Sequence, residues 1–278
     1  MMAASTAVTE AASGAGRLSV FRPPPVSLAR AFRLWRRNIT LYRRTWIWVL
    51  LPNFFQPFFY LVAIGMGLGL YVGRQISHVR YTEFISPGLA AMAAMFGAVF
   101  ELTFNTYGKI NWSRMYESVI TTPLEPEDVA AGEIMWAVSR SLINGGAFFI
   151  VMLGFGYVRH LSGVLALPAI GLVGLAMGLV ALLFTDFVTN MDAFSYFFNL
   201  FVTPLFLFSG IFFPITQLPE VARRIAWFTP LHHGVEMLRA LTLTGDMRSA
   251  GGHALWLAVF CAVLLPPAIN LFKRKLIS

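Results

Sequence analysis

From Trp46 to Tyr71 the chain carries no charged side chain, and five further apolar stretches follow it. Hydrocarbon offers no water to pair exposed N–H and C=O groups, so such a segment must satisfy its backbone internally, as a helix. About 20 apolar residues cross a bilayer core. Six runs have that reach: roughly Trp46–Tyr71, Phe84–Tyr107, Ile134–Tyr157, Gly163–Thr185, Ala193–Phe213 and Ala254–Phe272. The expected fold class is therefore an all-α membrane protein with six transmembrane helices. Composition agrees: 57% of residues are hydrophobic and 12% charged, half the charge of an ordinary soluble domain. A soluble chain of this size could not hide that surface in one core. The single cysteine, Cys261, excludes a disulfide framework and a thiolate zinc site.

Residues 1–26 are small and polar and read as a disordered cytoplasmic N-terminus without a secretory signal. Residues 27–45 follow the triple proline Pro23–Pro25. Leu28, Phe32, Trp35, Ile39, Tyr42 and Trp46 recur at steps of four and three, which is one helix face. Arg30, Arg33, Arg36, Arg37, Arg43 and Arg44 occupy the other faces. An Arg-rich helix with Trp on its apolar side is suited to the headgroup plane; a solvated helix that only supplies topology charge is the plainer alternative. The six-span domain then occupies residues 46–278.

The net charge of +8 is concentrated before the first span and in Lys273-Arg274-Lys275. An even number of spans puts both termini on one side, and the positive-inside rule makes that side the cytoplasm. Two connecting segments are unusual. Gly108–Glu133, on the cytoplasmic side, contains a short amphipathic helix over Asn111–Thr122, stopped by Pro123 and Pro126 and followed by Glu125, Glu127 and Asp128. Leu205–Gly252, on the outer side, runs apolar past a helix end, breaks at Pro214 and Pro219, and resumes as a helix over Leu231–Leu243. Such segments are re-entrant or short outer helices between the fifth and sixth spans.

Catalytic patterns are missing. The sequence holds no HExxH, no GxSxG and no GxxxxGK[ST] phosphate loop, so the chain is not expected to hydrolyse ATP alone or to bind a cofactor of its own. His232 and His233 are adjacent, point about 100° apart on a helix and make a poor metal pair. Glu101 is the one acid read as lying well inside a span, near its cytoplasmic end. It is either a polar lip on a substrate path or a solvated or Lys109-facing carboxylate near the inner interface. Asn199 and Thr203, four apart, could serve the same path or bond between helices.

Three stretches then carry a resemblance: YTEFISPGLAAMAAMFGAVFE from Tyr81, GKINWSRMYESVITTPLEPEDVAAGEI from Gly108, and LFLFSGIFFPITQLPEVARRIAWFTPLHHGVEMLRAL from Leu205. With six spans and an amphipathic N-terminal helix, these resemble the membrane subunit of a type-2 ABC exporter, nearest to the nodulation lipo-chitooligosaccharide and daunorubicin-type permeases. The resemblance implies half of a permease dimer bound to two separate ATPase subunits in a bacterial inner membrane. It implies that Asn111–Thr122 and the following turn, with Trp112, Arg114, Glu117, Thr122, Pro123, Leu124, Glu125, Glu127 and Asp128, form the coupling element that docks on the ATPase, its acids meeting basic residues there. The helix bearing Arg30, Arg33, Trp35, Arg36 and Arg37 matches the connecting helix along the inner leaflet. Ser209, Gly210, Phe213 and Pro214, with Glu236 and Arg239 three apart on the following helix, match the outer gate. The cargo implied is an amphiphilic lipo-oligosaccharide, glycolipid or drug, the Phe excess favouring a lipidic one. Nucleic acid is not an expected partner. A secondary transporter or channel is the competing reading, and would call for mid-membrane charge and inverted repeats.

Overall fold

The computed structural model describes residues 25–71, 79–112 and 124–277. The architecture is all-helical, and no strand forms among the described residues. Helix α1 (Leu28–Tyr42) is followed by α2 (Trp46–Tyr71), which has the limits the apolar run predicts. Helices α3 (Tyr81–Asn111), α4 (Pro126–Gly154), α5 (Ala166–Phe187, entered through a 3-10 turn at Leu161–Leu165) and α9 (Met247–Ile277) follow the predicted second, third, fourth and sixth runs. These four, the 3-10 turn counted with α5, are long and apolar enough to cross a membrane. Between them lie α6 (Asp192–Phe208), α7 (Glu220–Trp227) and α8 (Pro230–Arg239).

The fifth run is shorter than its hydropathy suggests. Helix α6 stops at Phe208, where Ser209 leads into Gly210 at φ +87°. That left-handed backbone is one only glycine adopts at no steric cost. The apolar residues Ile211–Phe213 therefore belong to a turn, with Ile211 fully buried. Three π turns occur among the described residues: Glu101–Asn105 in α3, Phe197–Val202 in α6 and Ala240–Thr244 directly after α8. Each holds one more residue than an α turn, a distortion found mostly where function needs it.

Helices α3, α4 and α5 form the centre of the bundle, with α9 packed on α5 and α8 wedged against α3, α5 and α9. Ile85, Leu89, Met95, Leu102, Met152, Ile170, Met177 and Leu179 fill this core. Small residues bring the axes together: a Cβ on Gly174 of α5 would lie 2.0 Å from Oγ of Ser141 on α4. Helix α1 docks on α4 in the same way, through Ala31, Leu34 and Asn38. A Cβ on Gly132 would come within 2.9 Å of the Ala31 carbonyl oxygen and of Leu34 Cβ. The docked face is rotated from the predicted stripe, because Ala31 and Asn38 do not read as apolar anchors. Leu28 and Phe32, at 76% and 48% exposure, are left pointing outward beside the exposed Arg33, Arg36 and Arg37.

Gly132→Val should therefore push α1 off α4 at a cost of about 1–3 kcal/mol, the usual penalty of overpacking. Thermal unfolding in nanodiscs would read it, and Gly251→Val, where a Cβ meets nothing within 4 Å, should leave the midpoint unchanged.

Candidate functional site

Polar chemistry collects at the two ends of the bundle. At the end that carries α1, the first turn of α4 is built by a capping box: the Glu125 and Asp128 side chains bond each other's backbone N–H, with Pro126 at the first helical position. The Asp128 carboxylate also accepts the Ser27 backbone N–H at 2.7 Å and pairs with Arg30 at 2.5 Å. Glu127 pairs with Lys273 of α9 at 2.5 Å. Two of the four acids expected to reach a partner protein are thus occupied within the chain: Asp128 is fully buried, and Glu127 nearly so. The reason is position, since both lie in a first helical turn that faces α1 and α9. Glu125 keeps a carboxylate that is 52% exposed, with Arg30 at 3.1 Å.

A second ionic group lies deeper. Lys109 Nζ donates to Glu101 Oε1 at 3.0 Å and to Glu133 Oε2 at 2.6 Å, and Arg140 Nε stands 3.7 Å from Glu101 Oε2. Asn105 Nδ2 donates to Glu101 at 2.8 Å, and Asn38 Nδ2 to Glu133 at 3.3 Å. Two carboxylates and two cations balance, as burial of charge requires. The π turn at Glu101–Asn105 opens this box, and Asn38 ties α1 into it. Trp35 Nε1 donates to Ser139 Oγ at 2.8 Å one layer away. Of the alternatives for Glu101, the geometry is that of a Lys109-facing carboxylate. Glu133 and Arg140 had no assigned role in the sequence reading; their signal is an acid and a base seven apart, on one helix face, in an otherwise apolar run.

Helix α3 ends just past this box, and Trp112 at its tip is 69% exposed. Arg114, Glu117, Thr122 and Pro123 lie outside the described residues, and Leu124 packs against the core. Asn199 and Thr203 lie on the exposed side of α6. They are not brought together with the buried Glu101 in one lining, although Phe100 and Phe198 stack between α3 and α6 with centroids 4.9 Å apart.

At the opposite end, α8 clamps the turn that ends α6. Arg239 is 9% exposed and donates to the Gly210 carbonyl oxygen at 2.9 Å and the Phe84 carbonyl oxygen at 3.3 Å. Its guanidinium lies 4.0 Å over the Phe84 ring and pairs with Glu236 at 2.5 Å, the pairing that the three-residue spacing suggests. Ser209 is buried, and Phe213 and Pro214 are half-buried. His232 Nδ1 reaches the Ser209 carbonyl oxygen at 3.2 Å, so that nitrogen carries the proton. His233 Nε2 likewise donates to the Trp227 carbonyl oxygen at 2.8 Å. The neutral ring then accepts at Nδ1 from His253 Nδ1, 2.8 Å away, and stacks on Trp256 at 4.0 Å. Burial lowers the pKa of His232 and drives His233 from 6.5 to about 4. The pair is a hydrogen-bonded edge of the cap, and no metal-binding cluster is found among the described residues. A cavity of about 410 Å³ opens beside Trp227, Glu236 and Arg239.

A helical bundle with membrane-length apolar helices, ion pairs at both ends and cavities between its helices is the build of a polytopic membrane protein. The chain belongs to the ABC-2 type transporter family, which it matches over residues 30–243. It is 33% identical to "Nodulation protein J" of Sinorhizobium fredii over 88% of this chain and 93% of that protein. Against "Nodulation protein J" of Rhizobium leguminosarum bv. trifolii the identity is 32%, with the same coverage. "Inner membrane transport permease YadH" of Escherichia coli is 24% identical over 74% of this chain and 80% of its own length. The chain is thus a permease-type transport subunit, and permeases of this family work with ABC ATPase subunits.

Two outcomes follow from the geometry. Lys109→Met leaves a surplus buried carboxylate and should cost about 3–5 kcal/mol. Adding Glu133→Leu restores the charge balance, so the double variant should melt above the single one in nanodisc calorimetry. At the other end, the folded state disfavours protonated His233, so its stabilising contribution is complete above pH 6.5 and is lost as pH falls towards 4. The thermal midpoint in nanodiscs should fall across that window, and His233→Gln should flatten the pH dependence.

Proposed function

We propose that this chain is the membrane subunit of an ATP-driven exporter that moves an amphiphile outward across a bacterial inner membrane. The observation that carries the reading is the family match combined with relatives of similar length that align over nearly all of it. Six spans per subunit, with α2 and α6 joining the four membrane-length helices, put both termini in the cytoplasm. The α1 end then faces the cytoplasm and the α8 end faces outward. A second copy of the permease and two ATPase subunits complete the assembly, with ATP and magnesium bound by the ATPases.

The segment from Trp112 through Leu124, including Arg114, Glu117, Thr122 and Pro123, acts as the coupling element. An exposed tryptophan where α3 ends, just beyond the Lys109 box, supports that assignment: a push on this segment is delivered to a charge group shared by α1, α3 and α4. Glu125 adds an accessible carboxylate, while Glu127 and Asp128 brace the frame from within. Arg33, Arg36 and Arg37 of α1 face inner-leaflet lipid headgroups, aided by the outward Leu28 and Phe32, and Arg30 and Trp35 hold the helix to α4. Ser209, Gly210, Phe213, Pro214, Glu236 and Arg239 act as the outer gate. Asn199 and Thr203, exposed on α6, face either the second copy or the cargo. The cargo is a lipo-oligosaccharide, glycolipid or drug-like amphiphile.

Mild detergent extraction of the tagged chain from its host, with mass spectrometry and an ATPase assay, is the test. A separate ATPase should co-elute and hydrolyse ATP. Glu117→Arg with Trp112→Ala should lower cargo-stimulated ATPase and export while monodisperse elution is kept. Elution of the chain without any ATPase would count against the exporter reading.

A further inference from the structure

We propose that Tyr107 is a positioning residue through which movement of the α3 tip reaches α6. Tyr107 lies between the π turn Glu101–Asn105 and the end of α3, and it is 7% exposed. Its hydroxyl donates to the Thr189 carbonyl oxygen at 3.0 Å. Its ring packs edge to face with Phe194, the centroids 5.5 Å apart. Thr189 belongs to the turn between α5 and α6, and Phe194 to the first turn of α6. One side chain of α3 therefore holds both the turn and the start of the helix that leaves it.

The same turn is tied from a second side. Lys275 of α9 donates to the Thr185 and Val188 carbonyl oxygens, the latter at 2.7 Å, and stands 5.9 Å from the centre of the Tyr107 ring. The two ties grip adjacent carbonyls, those of Val188 and Thr189. Displacement of α3 against α9 must then turn the backbone at Thr189 or break the Tyr107 bond, and the end of an element is where such dihedral changes are absorbed. Beyond the turn, α6 packs on the bundle largely through rings. Phe104 of α3 meets Phe194 and Phe198 at 5.1 and 5.4 Å, and Phe197 stacks on Phe184 of α5 at 4.3 Å. Among the described residues no side chain of α6 hydrogen-bonds to another helix. Ring contacts tolerate a range of offsets and tilts, whereas a hydrogen bond fixes distance and direction. Helix α6 is therefore directed at its ends, by Tyr107 at one and by the Arg239 clasp on Gly210 at the other. The functional consequence rests on the exporter reading, in which the α3 tip leads into the coupling element.

The test uses the whole chain with its co-purified ATPase in nanodiscs. Hydrogen–deuterium exchange is compared without nucleotide and after trapping with ATP, magnesium and vanadate. In the unaltered protein, trapping should change exchange at residues 106–112 and at residues 188–198. Tyr107→Phe keeps the ring and removes the hydroxyl. It should preserve the response at 106–112 and reduce that at 188–198 by about fivefold, the lower end of ordinary coupling between sites. Phe194→Leu removes the ring contact and leaves the hydroxyl, and should give a smaller reduction at 188–198; if Tyr107→Phe misfolds, an undiminished response in Phe194→Leu overturns the proposal. A purely structural role for Tyr107 would raise exchange at both segments before nucleotide is added, and that pattern overturns it too. So does a full response at 188–198 in Tyr107→Phe, or none there in the unaltered protein; with nucleotide trapped, the exporter reading survives either result. If no ATPase co-purifies and nothing is trapped, the exporter reading falls, and the role of Tyr107 falls with it.

Discussion

Charge drawn into a helical bundle has to meet its opposite, and that requirement organises this protein. Removing an ion from water costs far more than a helix contact returns, unless a counter-ion and hydrogen bonds surround it. At the α1 end the chain meets the requirement twice, with Arg30, Asp128, Glu127 and Lys273 in one layer and Glu101, Lys109, Glu133 and Arg140 in the next. These pairs join helices that are far apart in sequence. Helix α1 is held to the start of α4, α9 is held to the same turn, and α3 is held to α4 through Lys109. Apolar packing between α3, α4 and α5 supplies the bulk of the core, but the pairs determine the register in which the outer helices attach.

The opposite end follows a different logic. Arg239 uses its guanidinium as a clasp on two backbone oxygens, that of Gly210 just past the end of α6 and that of Phe84 in the first turn of α3. A buried carbonyl without a partner is costly; the clasp serves the one of Gly210 and ties it to α3, while Glu236 neutralises the guanidinium. The histidines extend the same economy: each ring donates to a carbonyl oxygen, and His233 and His253 share the remaining contact. One end is thus held by pairs of charges between helices, and the other by side chains that complete a broken backbone.

Much of this was legible before any coordinates. Hydropathy located α2, α3, α4, α5 and α9, because lipid-compatible runs leave little choice but helix. The Ser209–Pro219 break could be read from Gly and Pro, and the Glu236–Arg239 pair from its spacing. What escaped were partnerships between distant segments. Nothing local to Asp128 announces Arg30, and Glu127 meets Lys273 only after the whole bundle has closed. The Glu133–Arg140 spacing marks a charged helix face, but the partner of Arg140, Glu101, lies on another helix and has no local signature. Helix α1 showed an apolar stripe, yet its docked face includes Ala31 and Asn38, residues too small or too polar to be counted as anchors. The bond from Tyr107 to Thr189 joins α3 to the α5–α6 turn and has no signature in either.

The π turn at Glu101–Asn105 bears on how motion passes along α3. Helix residues succeed one another by about 100°, and a π turn carries one residue beyond the α count. If that extra residue were passed along the helix, everything after Asn105 would rotate as a screw while everything before it stayed seated in the core. Lys109 and Trp112 lie on the turning side; Phe96 and Phe100 lie on the fixed side. A helix built this way can act as a swivel, turning its tip without sliding its shaft.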